Sequence, residues 1–310
     1  MLRNTCFGVF LALRNKSLTR EGLLNTSCIF EKTNEMKGSG LIVPIAALML
    51  SAVSCGGGKY AATEKVYKEK AKGFAELYKA SPVIGQLEQI HTSEKEWIAS
   101  INFGVRKPNY VMIHHTAQGS LAQTVKTFHS AKAGVSSHYV IGRDGKVVQM
   151  VNDLYRGHHA GLGKWGNDTD LNSSSIGIEL DNNGTTDPWP DAQIHALLVL
   201  LQYLKDTYKI PQANFIGHMD YAPTRKNDPS RFPWERLADS GFGYWYDAQL
   251  ETPPEGFDPK LALRIIGYDV KNLEAAIKAF KIHYIQRDTN TASLNDEDLK
   301  ILYSIFKKYL

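Results

Sequence analysis

Between Ile101 and about Asp239 short β-prone runs alternate with helix-like runs, and this alternation restricts the chain to an α/β domain. Tyr110-Val111-Met112-Ile113 is an apolar, strand-like run that ends in His114-His115. His138 to Gly142 and Lys146 to Val151 flank Arg143-Asp144-Gly145, and Asp-Gly between two β-prone runs is a strong hairpin signal. Ser175-Ile176-Gly177-Ile178-Glu179-Leu180 reads as a further strand, stopped by Asn182-Asn183-Gly184. Asp191 to Tyr208 then carries Ile194, Leu197, Leu198, Leu201 and Leu204 on one stripe, the period of a helix.

The pattern changes at Glu251-Thr252-Pro253-Pro254-Glu255-Gly256, which no regular element tolerates, so a linker is expected there. Beyond it Pro259 to Ile266, Leu273 to Phe280 and Asp296 to Tyr309 show apolar residues at i, i+3, i+4 spacing, a small three-helix module over 256–310. Asn295 is suited to cap the last helix, and Asp296, Glu297 and Asp298 favour its positive end. Ahead of the α/β domain, placed at 96–250, residues 59–80 repeat Tyr60, Val66, Tyr67, Ala71, Phe74 and Leu77 near the helical period, so 56–95 reads as a tether with an amphipathic helix.

At 310 residues there is room for about two domains, and an apolar fraction of 43% with 22% charged residues is ordinary for a globular protein. A net charge of +4 is too small to argue for nucleic acid. Cys6, Cys28 and Cys55 are the three cysteines, all in the first fifth of the chain, which excludes a thiol nucleophile in the α/β domain. Leu41 to Leu50 is an apolar run of ten residues, well short of the roughly 20 that span a bilayer, and fits the core of a signal peptide. Lys37 precedes it; Ser51 to Ser54, Cys55 and then Gly56-Gly57-Gly58 follow it. That order resembles a bacterial lipoprotein signal, with lipidated Cys55 as membrane anchor. Residues 1–35 do not fit such a signal, so the expected translation start is Met36; the competing reading takes Cys6 to Leu13 as a first apolar core.

Chemistry concentrates in Ile216-Gly217-His218 to Asp228-Pro229, where one Pro-bearing loop carries two metal-competent side chains. The histidine pair at the end of the first strand can deliver a third, rigidly held ligand. Two His and one Asp leave a coordination position open, the property that separates a catalytic zinc from a structural one.

The segments Val111 to Ala117, Ser137 to Gly145, His158-His159-Ala160-Gly161, Ser175 to Leu180 and Gly217-His218 to Asp228-Pro229 occur in one order. Together they resemble the type 2 N-acetylmuramoyl-L-alanine amidases, relatives of the peptidoglycan recognition proteins, over roughly residues 95–240. The resemblance implies a mixed central β-sheet flanked by helices, a Zn2+ cofactor held by His114, His218 and Asp228, and Glu179 as general base. It also implies that Lys226, two residues before Asp228, offsets charge on the tetrahedral oxyanion. Asp181 is the reserve candidate for the base. His115 is expected on the opposite face of its strand, because successive side chains alternate. His138 and His159 are expected as core or groove-lining residues rather than ligands, and Arg225 and Trp234 flank the loop.

The implied reaction is hydrolysis of the amide between N-acetylmuramic acid and L-alanine, with peptidoglycan or muropeptides as partners. The implied address is the bacterial cell envelope, lipid-anchored at the outer membrane and facing the periplasm. The three-helix stretch resembles, more loosely, a peptidoglycan-binding domain. Two alternatives stay open: a non-catalytic peptidoglycan-binding protein, which would lack a ligand or the acid-base residue, and a zinc peptidase acting on the stem peptide. Such peptidases tend to place an Asp seven residues after the His, where this chain has Arg225.

Overall fold

The computed structural model describes residues 59–79 and 107–310. Met36, Cys55, the signal reading over 1–55 and the starting point of the α/β domain at 96 lie outside the described residues.

Tyr110–His115 (β1) is the centre of a five-stranded sheet. Its Val111, Met112 and Ile113 are wholly buried, as a strand covered on both faces requires. Parallel neighbours lie on either side: Ser175–Leu180 (β4) pairs with it in the register His114 to Glu179, and Phe215–Gly217 (β5) pairs through Met112 to Ile216. Tyr139–Ile141 (β2) runs parallel to β4, and Val147–Gln149 (β3) closes the far edge antiparallel to β2, giving the order β3-β2-β4-β1-β5. The β2–β3 pair is the hairpin expected around Asp144-Gly145. Gly145 sits at φ +82°, a conformation that costs a glycine nothing.

Between the strands, Leu121–His129 (α2) is capped by Ser120, and Leu171–Ser174 (α3) is a single turn leading into β4. Asp191–Tyr208 (α4) has the limits expected from its stripe; Ile194, Leu197, Leu201 and Leu204 are wholly buried, with Leu198 packed beside them. Gln193 on α4 is also buried, and its amide donates to the carbonyls of Ile141 and Asp181, satisfying strand-end groups that water cannot reach. Two short helices, His218–Tyr221 (α5) and Trp234–Asp239 (α6), follow β5.

Ahead of the sheet, Ala61–Lys79 (α1) forms a helix as expected. Its Tyr67 and Phe74 rings rest against Tyr155, and Tyr60 against His129.

The C-terminal helices are Pro259–Ile266 (α7), Leu273–Phe280 (α8) and Asp296–Lys307 (α9). Asn295 caps α9 in a reciprocal box with Asp298, as expected from the sequence. Past Phe280 the chain does not stop but widens into a π-helical turn, Lys281–Ile285. One hydrophobic core runs unbroken from β1 through α4 to Ile277, Phe280, Leu302 and Ile305, so these helices share the interior of the sheet domain. Trp165 packs edge-on against Tyr268, and the amide of Gly166 donates to the carbonyl of Gly267 at 2.7 Å. Among the described residues no helix is long and apolar enough to cross a membrane.

Candidate metal centre

Open α/β sheets bind ligands beyond the carboxyl ends of their strands, and here three adjacent ends meet. β1 delivers His114 from its penultimate position, β5 runs directly into His218, and β4 sets Glu179 level with His114. In-register parallel partners point to the same face, so His114 and Glu179 share one side of the sheet. Asp228 arrives on a loop that is pinned down: the amides of Arg225 and Lys226 donate to the Ala222 carbonyl, and the amide of Met219 donates to the Asp228 carbonyl.

His114, His218 and Asp228 are all buried and converge. His114 Nδ1 lies 3.0 Å from His218 Nδ1, and each of these nitrogens lies 3.1 Å from Asp228 Oδ2. A tetrahedral metal site with bonds of about 2.0–2.1 Å has donor–donor edges of about 3.3 Å, so the triangle fits a single ion of zinc size.

The far side of each imidazole is committed too. His218 Nε2 lies 2.8 Å from the Ala160 carbonyl, which can only accept, so its proton sits on Nε2 and Nδ1 presents a lone pair. Burial pushes His114 down to about 4, reinforced by His218 beside it and opposed by Asp228; it is neutral, as a ligand must be. Burial alone would raise the Asp228 carboxyl, but the His114 and His218 imidazoles beside it hold it well below the usual carboxylate range. Two lone pairs and a carboxylate oxygen this close, out of water, call for a shared cation.

Beside the triangle, Glu179 Oε2 is buried without a hydrogen-bond partner among the described residues. Desolvation, with a contribution from the negative charge of Asp228, pushes its carboxyl up to about 8, while Lys226 pulls the other way. Lys226 itself is exposed, and its charge reaches His114, His115 and Glu179.

A family model described as N-acetylmuramoyl-L-alanine amidase matches residues 104–231. Over 206 residues the chain is 34% identical to the N-acetylmuramoyl-L-alanine amidase AmiD of Escherichia coli, covering 56% of this chain and 74% of AmiD. The chain belongs to this amidase family. It is also 41% identical over 108 residues to the 1,6-anhydro-N-acetylmuramyl-L-alanine amidase AmpD of Enterobacter cloacae, covering 34% of this chain and 57% of that one. The solved structure of E. coli AmiD with the substrate anhydro-N-acetylmuramic acid-L-Ala-D-gamma-Glu-L-Lys superposes with a TM-score of 0.57 at 28% identity, over 72% of this chain and 96% of that one.

Within the amidase site, the five sequence-predicted residues divide into a buried triangle of donors, a buried carboxylate beside it, and an exposed lysine above. His115 lies outside the triangle, on the other face of β1, where its Nδ1 faces the Ser230 amide at 3.3 Å. Asp181 is turned away from the cleft; its carboxylate accepts from the Leu121 amide and pairs with Arg143. Arg225 reaches back to the carbonyls of Ala160 and Leu162, bracing the His-Ala-Gly loop. Trp234 is a core residue, stacked on His283 at 3.9 Å.

Two residues support the donors: His159, expected from the sequence only as a core or groove-lining residue, and one that the sequence did not single out. His159 Nδ1 lies 3.1 Å from His114 Nε2, while His159 Nε2 faces Ser175 Oγ at 3.4 Å. Ser175 spends its own proton on the Leu171 carbonyl. It must therefore accept from His159, which in turn accepts from His114, leaving His114 Nδ1 as a free lone pair. The other is Asp220, wholly buried in α5, two residues past His218. Adjacent histidines in a His-His-Ala-Gly motif hint at the first; an Asp in a short turn gives no such hint.

Proposed function

We propose that this amidase hydrolyses the amide between the lactyl group of N-acetylmuramic acid and L-alanine in peptidoglycan or its fragments, with zinc held by His114, His218 and Asp228. The observation that carries the reading is the triangle of donor atoms 3.0–3.1 Å apart at the ends of β1 and β5 and on the Asp228 loop. AmiD, which shares the family, is solved with a muramyl peptide described as its substrate.

When bound, zinc supplies Lewis acidity, polarising the scissile carbonyl and making water a better nucleophile near neutrality. The protein's own residues carry the rest. Glu179 takes a proton from the attacking water and passes it to the departing nitrogen, since an amide leaves poorly unless its nitrogen is protonated. Its Oε2, buried without a hydrogen-bond partner among the described residues, is free for this transfer. Lys226, exposed at the rim, offsets negative charge on the tetrahedral oxyanion. His159, Ala160 and Ser175 hold the imidazoles with their lone pairs inward.

The envelope address and the anchor at Cys55 belong to the same proposal; their support is the order of apolar run, small residues, cysteine and glycines. The wall-binding role of 256–310 is supported by the resemblance of its three helices. Mass analysis of products from purified muropeptides tests the reaction. A free stem peptide with L-alanine at its amino end is expected, and cleavage inside the stem, or none, overturns it. Mass analysis of the native N-terminus tests the anchor: a lipidated mature chain beginning at Cys55 is expected, and any earlier start overturns it.

A further inference from the structure

Asp220 is a buried carboxylate with three donors. Its Oδ2 accepts from the amide of Gly217 at 2.7 Å and from His283 Nδ1 at 2.8 Å; its Oδ1 accepts from the Tyr268 hydroxyl at 2.7 Å. Gly217 is the last residue of β5, and Asp220 shares the single turn of α5 with His218. The side chain thus closes a small ring of backbone around the metal-facing histidine. Its two outer donors come from the far end of the chain: Tyr268 follows α7, and His283 belongs to the π-helical turn after α8. All three side chains are buried, Tyr268 and Asp220 completely. The His283 ring is fixed in turn by stacking on Trp234.

A one-turn helix has too few hydrogen bonds of its own to hold a ligand in place. The orientation of α5 must come from outside it, and a buried carboxylate takes up whatever orientation its donors dictate. We propose that Tyr268 and His283 are positioning residues for the metal centre, acting through Asp220 to hold His218 Nδ1 in the donor triangle. The C-terminal helices are, on this reading, a structural part of the hydrolytic site. The inference rests on His218 being a zinc ligand.

The test measures zinc affinity by competition with a chromophoric chelator, at a temperature well below the melting transition of each metal-free variant. The visible absorption of the cobalt-loaded protein is recorded alongside. His283→Leu and Tyr268→Phe are each expected to bind zinc about tenfold or more weakly, the scale seen when support behind a ligand is lost. Both are expected to change the cobalt spectrum. His283→Asn puts an amide donor near the place of Nδ1 and is expected to restore affinity to within about threefold of the parent, a scale far below the losses from missing support. A purely structural role would lower the melting temperature and leave the affinity of the folded protein untouched. Losses smaller than tenfold in both Tyr268→Phe and His283→Leu, or no recovery in His283→Asn, overturn the proposal. Should His283→Leu fail to fold, Tyr268→Phe decides alone. Failure of the unsubstituted protein to bind zinc would instead overturn the reading of His218 beneath it.

Discussion

His159 Nδ1 lies 3.1 Å from His114 Nε2, so an imidazole of the donor triangle is itself held by another imidazole. Their rings meet edge to face at 5.2 Å. Gly177 of β4 makes this possible, because a Cβ there would stand 2.4 Å from the His159 ring. His159→Ala is expected to weaken zinc binding about 10- to 100-fold with the fold intact. Gly177→Ala, which pushes the same ring aside, is expected to act in the same direction. Unchanged affinity in a chelator competition assay for both variants would remove His159 from the support of the site.

His114→Ala or Asp228→Ala opens a gap in the donor triangle. Both are expected to lose bound zinc and amidase activity together. A variant with full metal content by atomic absorption would not have lost a ligand.

Glu179→Gln keeps the size of the side chain and the three donors. It is expected to retain zinc and lose turnover by about 10²-fold or more, the range of a missing general base. Near-normal turnover on muropeptides would assign proton transfer elsewhere.

The same residue shapes the pH dependence of the metal-free protein. Burial, then the charge of Asp228, lifts the folded carboxyl from 4.5 to about 8, so between those values the folded chain holds a proton that the unfolded chain has released. Stability of the metal-free form is therefore expected to fall as pH rises through that window, by an amount on the order of a few kcal/mol. Denaturant titrations at several pH values check this, and Glu179→Gln should flatten the slope. A cation in the triangle favours the ionised form and should shrink the effect.

Removing residues 256–310 strips Ile277, Phe280, Leu302 and Ile305 from the common core and two of the three donors from Asp220. The expected outcome is a protein that melts at much lower temperature or does not fold, rather than a folded amidase with weaker wall binding. A truncated chain with the parent's melting temperature and zinc affinity would contradict this.

Much of this molecule could be read from residue pattern. Apolar and β-prone runs located β1, the β2–β3 hairpin and β4, and a period-3.6 stripe located α4, because strands covered on both faces need unbroken apolar sequence and a helix that buries one face needs regular spacing. The donor set was legible because five motifs in one order resemble the amidase family; a His with an Asp ten residues later would by itself have been weak evidence. What escaped were contacts between distant segments. Nothing in the spacing of Asp220, Tyr268 and His283 shows that they meet, since the pairing depends on how α7 and α8 fold back over α5. The π-helical turn was missed for a related reason: Lys281 is buried against Asp288, Thr291 and Asp298, a tertiary arrangement that overrides the simple helical period. His159 was placed in the core or groove, but its role behind His114 depends on tautomers, which spacing does not encode.

β1 lies beside β4 in the parallel sheet, so His114 and Glu179 are spaced by the backbone ladder itself rather than by a connecting loop. Emptying the centre of its ion should leave that ladder standing. Stripped protein is thus expected to reload without a slow conformational search.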